Sequence, residues 1–164
     1  MPRVFARCEP FELERQATTR SYKTRSSGLV IVARMTAHAT SSFVIDKWEE
    51  QVMWQDDIKL IRTSIGKTFS GGIEGTSVAE MIMAHARDNS IAYCGFERLS
   101  VTIDGKKGTF VLHHDATQFQ GGGSASWTVM VSSGTGDLAT IRGTATIARH
   151  EDGSHAMQLD YELG

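Results

Sequence analysis

Three side chains sit where a strand pattern calls for apolar ones. Glu80, Glu97 and His114 each fall inside a run of alternating apolar residues rather than in a turn. Two carboxylates and an imidazole brought together out of water cost several kcal/mol unless they pair with one another. Like carboxylates a strand spacing apart resist joint ionisation, so one of them holds or shares a proton. Such a trio has the composition of a general acid and base, with Glu97 or Glu80 handling the proton and His114 orienting or charging it. It equally suits a polar spot that hydrogen-bonds a ligand, or a network that satisfies only itself. Two carboxylates and one histidine also match a facial metal triad in number. No second inward histidine and no HxE-type spacing accompany them, so neither a metal nor a cofactor is expected.

Whether the three meet depends on the strands that carry them. The stretch Ile91 to Val131 holds three apolar-alternating runs joined by two glycine-bearing turns. Asp104-Gly105 is a strong hairpin signal. A two-residue loop at Gly105-Lys106 sets Glu97 directly opposite His114. A loop at Asp104-Gly105 or a four-residue loop shifts the pairing by two but keeps both on one face, together with Tyr93, Leu99, Val101, Ile103, Phe110 and Leu112. Taking Asp88-Asn89 as a two-residue loop sets Glu80 opposite Glu97, among Val78, Ile82 and Ala84. A loop near Gln120 to Gly123 sets His114 beside Val129 and near Trp127. An odd loop at any of these turns reverses a face. Tyr93, Phe110, Trp127 and Tyr161 are expected inward, filling the interior or lining a cavity for an apolar ligand. Met81 and Met83 take the opposite parity from Glu80 and are expected outside, covered by the leader, a loop or a second subunit, which leaves a homo-oligomer open. His113 points outward by the same count. His38, His85, His150 and His155 read as surface residues at strand ends or turns.

The strand pattern extends from Met35 to the end. Expected strands cover 41–48, 58–70, 74–85, 91–103, 109–117, 124–131, 139–148 and 155–163, with 49–57 an acidic connector and 132–138 a loop with one helical turn. Eight short antiparallel strands at close spacing make an all-β fold, an up-and-down barrel or a sandwich. A closed barrel removes exposed edges and can hold one small ligand.

The totals agree. The chain has 164 residues, 40% apolar and 22% charged, with sixteen glycines against two prolines, as suits one soluble, turn-rich domain. A net charge of −2 gives no basic footprint for nucleic acid, and no apolar run spans a bilayer. Cys8 and Cys94 form no metal or redox spacing, and a reducing cytoplasm is the default. Cys94 reads as a small core or wall residue. Residues 1–34 differ, with seven Lys or Arg against three acids and no clear period. They read as a disordered extension or as codons upstream of the true start, leaving 35–164 as the barrel domain.

Glu80 together with TFSGGIEG (Thr68 to Gly75), GFER (Gly95 to Arg98), SGTGDL (Ser133 to Leu138) and the terminal LDYEL resembles the domain-of-unknown-function 3224 family of bacterial proteins. The resemblance covers Met35 to Gly164. It implies a closed eight-stranded antiparallel barrel of the allene oxide cyclase-like type. It implies no activity; related barrels include cyclases and isomerases of apolar substrates, a link by fold alone.

The leading expectation is a small-molecule-binding barrel with a mostly apolar cavity and a Glu/Glu/His polar spot. The alternative is an isomerase or cyclase acting on an apolar small molecule through Glu97 or Glu80 and His114. The third class is a ligand-free structural module, which a filled interior would favour. Removing residues 1–34 is expected to leave the melting temperature of the barrel unchanged, as differential scanning calorimetry would show; a large drop would mean that the leader packs on the domain.

Overall fold

A computed structural model describes residues 36–164; Cys8 and the leader, residues 1–34, lie outside the described residues. Eight strands follow one another around a closed antiparallel barrel, each paired with its neighbours in sequence and β8 with β1. They are β1 (Ala37–Gln55), β2 (Lys59–Gly71), β3 (Ile73–His85), β4 (Ile91–Ile103), β5 (Lys106–Phe119), β6 (Gly122–Val129), β7 (Arg142–Arg149) and β8 (His155–Glu162). The expected acidic connector 49–57 is mostly strand, because β1 runs on as far as Gln55. A single 3-10 turn, Gly136–Leu138, lies in the expected loop.

Two of the three turns keep an even length, though shifted by two in pairing, so that Glu97 lies opposite Leu112 rather than His114, and Val129 opposite Leu112. Asp104 and Gly105 both take positive φ, 50° and 75°, the conformation that matches a hairpin to strand twist. Ile103 then pairs with Lys106, and Gly95 with His114. Gln120-Gly121 closes the next hairpin in two residues and sets His114 opposite Trp127.

The turn between β3 and β4 differs. Asp88 and Asn89 lie in it, but it spans five residues, Ala86 to Ser90, between the paired His85 and Ile91. Ala86 N–H donates to the Ser90 carbonyl at 2.9 Å, and Ser90 N–H donates to the Asp88 carboxylate at 2.9 Å. The odd length reverses the parity of β3 relative to expectation. Ser77, Ala79 and Met81 face inward and are buried. Val78, Glu80 and Ile82 face out and are exposed.

The barrel has unequal halves. At one end the lumen is packed solid by Ile73, Leu99, Ile103, Phe110 and Leu159. Leu138 and Ile141, from the loop after β6, plug that end and are also fully buried. This loop continues along β5 where β6 stops: Thr135 N–H donates to the Thr109 carbonyl at 2.8 Å, and Val111 N–H to the Ser133 hydroxyl at 3.0 Å. At the other end the wall is incomplete. β8 pairs with β1 only along Ala37 to Phe43, and β6 pairs with β7 only through Trp127 and Thr128. The half-buried side chains of Met83, Tyr93, Trp127, Ile147 and His155 stand around this open mouth.

Gly108 is where the plug loop meets β5. A Cβ there would run into the Thr135 carbonyl and press on Leu138. Gly108→Val is expected to destabilise the barrel by about 1–3 kcal/mol, measured as a lower urea midpoint with an unchanged slope.

Candidate functional site

Strand tilt in a closed barrel offsets residues at one height from strand to strand. Lys67 pairs with Ser77 across β2 and β3. Glu97 sits one step diagonal to Ser77 on β4, and His114 one step diagonal to Glu97 on β5. Trp127 follows directly opposite His114 on β6. These five residues form one row across the lumen, between the packed half and the mouth.

Glu97 has no exposed surface, and Lys67 and His114 are 6% and 2% exposed. The Lys67 ammonium donates to Glu97 Oε2 at 2.7 Å, and the Ser77 hydroxyl donates to Oε1. His114 Nε2 lies 2.8 Å from Oε2. That is hydrogen-bond distance, and through this contact His114 stabilises the carboxylate, although the ring nitrogen is not aimed squarely at the oxygen. The Lys67 ammonium also lies 5.1 Å from the centre of the Phe43 ring, which stacks on His155.

The charge states follow from these contacts. Burial by itself would raise the Glu97 carboxyl, but His114 and the Lys67 ammonium overcome it and hold the group at about 2. Burial pushes the His114 imidazole down, and the Glu97 carboxylate only partly restores it. At neutral pH the row therefore holds a carboxylate, an ammonium and a neutral imidazole. A carboxylate held that low is a weak base. Lys67 occupies the place that a bound cation would take, and among the described residues no group of three His, Cys, Asp or Glu side chains is gathered to hold a metal.

The expected site residues separate into four groups. Glu97, His114 and Trp127 come together, with the His114 and Trp127 rings edge to face at 6.3 Å between centres. Glu80 does not join them. It lies on the outer wall, bridged to Arg62 at 3.0 Å, where hydrogen bonds from Ser64 and Arg62 hold its carboxyl below the usual range. Phe110 and Tyr161 are inward but sunk in the packed half, and the Tyr161 hydroxyl is spent on Asp104 at 2.5 Å. Tyr93 stands at the mouth. Met81 and Met83, expected outside, belong to the wall above the row. His155 is half-buried against Phe43 rather than free on the surface, while His113 does face outward, against Phe96. Cys94 is an exposed residue of the outer wall. Lys67 and Ser77 carry the row and were not anticipated. For Lys67 a signal exists: it shares parity with Ile61, Thr63, Ile65 and Phe69 on β2.

Two hollows of about 210 and 230 Å3 lie outside the lumen, one beside the C-terminus at Thr140 and Arg142, the other on the outer wall between Arg62 and Phe96. The lumen itself is filled around Glu97. Two lumen-facing polar atoms are buried without a partner, the Ser41 hydroxyl and the Trp127 indole nitrogen.

Residues 39–161 match the model of a family described as "Protein of unknown function (DUF3224)". A crystal structure of a protein of unknown function from that family, from Shewanella oneidensis MR-1, is similar to this chain, with a TM-score of 0.71 and 25% identity. The match covers 77% of this chain and 97% of that one. No curated protein matches the chain at a significant level. Among the described residues, no helix is long and apolar enough to cross a membrane.

The row sets the acid response. Both His114 and Glu97 have folded-state values below their ordinary ones of 6.5 and 4.5. Each therefore contributes stability that is complete above its ordinary value and is lost as pH falls toward its folded value. Urea midpoints are expected to decline in two steps, first below about pH 6.5 and again below about pH 4.5; His114→Gln should shrink the first step and leave the part due to His155, which burial also holds below its ordinary value. Glu97→Gln and Lys67→Met are each expected to cost about 3–5 kcal/mol by stranding the partner. The double change should cost clearly less than the two single costs added.

Proposed function

Because this chain belongs to the DUF3224 family, which carries no assigned activity, we propose from the site alone that it binds one small, mostly apolar molecule bearing a hydrogen-bond acceptor, seated in the mouth of the barrel above the Lys67–Glu97–His114 row. The observation that carries this reading is the Trp127 indole N–H. It is buried, it has no partner, and it lies beside His114 at the floor of the mouth. An indole N–H can only donate, and an unmatched buried donor costs about 1–3 kcal/mol. A carbonyl, hydroxyl or ether oxygen of a ligand would relieve it once the half-buried ring turns that edge toward the mouth. Met83, Tyr93 and Ile147 at the mouth supply the apolar contact.

The filled lumen moves the seat upward from where the sequence suggests. A ligand rests on the ion pair instead of reaching past it. An isomerase or cyclase built on Glu97 draws less support, because a carboxylate held at about 2 and already engaged by Lys67 and Ser77 is poorly placed to take a proton. The same reading leaves Glu80, outside the barrel, with no part in the site.

The test compares a medium-chain methyl ketone with the matching alkane by isothermal titration calorimetry. The native protein is expected to prefer the ketone. Trp127→Phe keeps the ring and removes the donor. It should weaken ketone binding about fivefold, the worth of one hydrogen bond, and leave alkane binding unchanged. If neither compound binds, and native mass spectrometry after exposure to cell extract finds no ligand, the row is a structural element and this reading fails.

A further inference from the structure

We infer that the mouth end of the β1–β8 seam is an acid-opened latch, with His155 as its trigger, and that opening it releases the ligand of the mouth. The release rests on the ligand reading above; the latch itself does not.

The seam is short and ends on one pair of residues. β8 meets β1 only along Ala37 to Phe43, and the last rung joins Phe43 to His155. His155 is also the last rung between β7 and β8, opposite Arg149. It therefore closes the corner where β7, β8 and β1 meet beneath the open side of β1. Its side chain makes the closure. The half-buried imidazole stacks on the Phe43 ring, with 5.1 Å between centres and 24° between planes. A rung at the start of a strand, with no rung beyond it, opens at a lower cost than the rest of its ladder.

The surroundings accept this ring only while it is neutral. Burial opposes a proton on it most, and Arg149, Lys67 and His150 add to that. Arg149 reaches it from β7, where it shares the lumen parity of Ala145 and Ile147. His150 comes from the turn before β8. Lys67 comes from β2, its ammonium 5.1 Å from the centre of the same Phe43 ring. The acids of the adjoining elements are engaged elsewhere. Glu97 holds Lys67 itself, and Asp152 of the turn accepts from the Ser154 hydroxyl at 2.7 Å. On β1, Asp46 accepts from Thr68, Glu49 is bridged to Lys47, and Glu50 accepts from the Trp48 indole. Glu151 is exposed in the turn. A phenyl ring attracts a cation, but this one already carries the Lys67 ammonium. A protonated imidazole gains by leaving the stack for water, and the rung it holds opens with it.

The direction follows from linkage. The closed seam holds His155 below its ordinary value, and the open seam returns it there, so acid favours the open form. The latch is fully closed above about pH 6.5 and shifts by at most about tenfold for each pH unit below. Opening draws Phe43 and His155 apart beside Ile147, and a ligand resting above the row loses that side of its wall.

Amide hydrogen exchange of the full chain at about pH 7.5 and about pH 5.5 tests the latch. Protection factors remove the intrinsic pH dependence of exchange. Peptides through Phe43 and His155 should be far less protected than those of β4 at both values, because the seam opens on its own. Their protection should fall several-fold, at most about tenfold, at the lower pH. His155→Phe keeps the stack and removes the proton, so it should abolish that fall, whereas His114→Gln should leave it. Binding of the methyl ketone should weaken over the same interval, and less so in His155→Phe. Seam protection that is indifferent to pH, that equals that of β4, or that falls as much in His155→Phe overturns the latch. A ketone that binds at neither pH defeats the ligand reading and with it the release, while the protection factors still decide the latch.

Discussion

A carboxylate with none of its surface open to water has to be neutralised where it stands. Glu97 is in that position, and each group that makes it tolerable arrives on a different strand: Lys67 from β2, Ser77 from β3 and His114 from β5. Sliding any of these strands by one residue would carry its polar side chain to the outer wall and leave the carboxylate unmatched. Replacing both charges by apolar residues could be neutral for stability, whereas removing one is not. The pair thus penalises wrong registers more than it rewards the right one. In a barrel closed by two short seams, that penalty is a means of fixing which strand lies against which.

Those seams also explain why the two ends differ. The plug of Leu138 and Ile141 seals one end, and the ladder there is completed by the loop after β6. Toward the other end β7 and β8 are eight residues each while β1 has nineteen, so the long strands outrun the short hairpin and stand with an open side. The polar row lies at the boundary. Below it lies the larger core; above it Ile61, Thr63, Ile65 and Met81 are still buried, while Met83, Tyr93, Ile147 and His155 are half-buried.

How much of this the sequence discloses turns on loop parity. Asp104-Gly105 names its own turn, because two successive residues of that kind tolerate positive φ, and the shared face of Glu97 and His114 follows. Asp88-Asn89 looks equally clear but is embedded in a five-residue turn, whose ends Ala86 and Ser90 carry no distinctive residue type. The three further residues in that turn exchange Glu80 for Ala79, Val78 for Ser77 and Ile82 for Met81 on the inner face. Outer-wall Val78, Ile82 and Phe96 make the true parity hard to see, since the outer face of this barrel is itself partly apolar. Lys67 is hidden for a different reason: a lysine in a strand is ordinarily taken to point outward, and only its parity with Ile65 and Phe69 says otherwise. The extent of β1 is obscured by its acids, which suit a solvated edge as well as a loop.

The charge state of the row bears on what the mouth would accept. Glu97 and Lys67 cancel, and His114 is kept neutral by burial, so the floor carries no net charge. An anionic ligand would gain from Lys67 only by competing with Glu97 for it, and a cationic one would meet the ammonium beneath a wall of apolar side chains. Either would leave a buried charge unpaired, at a penalty of several kcal/mol. A neutral molecule with one acceptor oxygen disturbs nothing and relieves the Trp127 donor. The selectivity proposed for this site therefore comes from a pair that is already satisfied, and from the single donor beside it that is not.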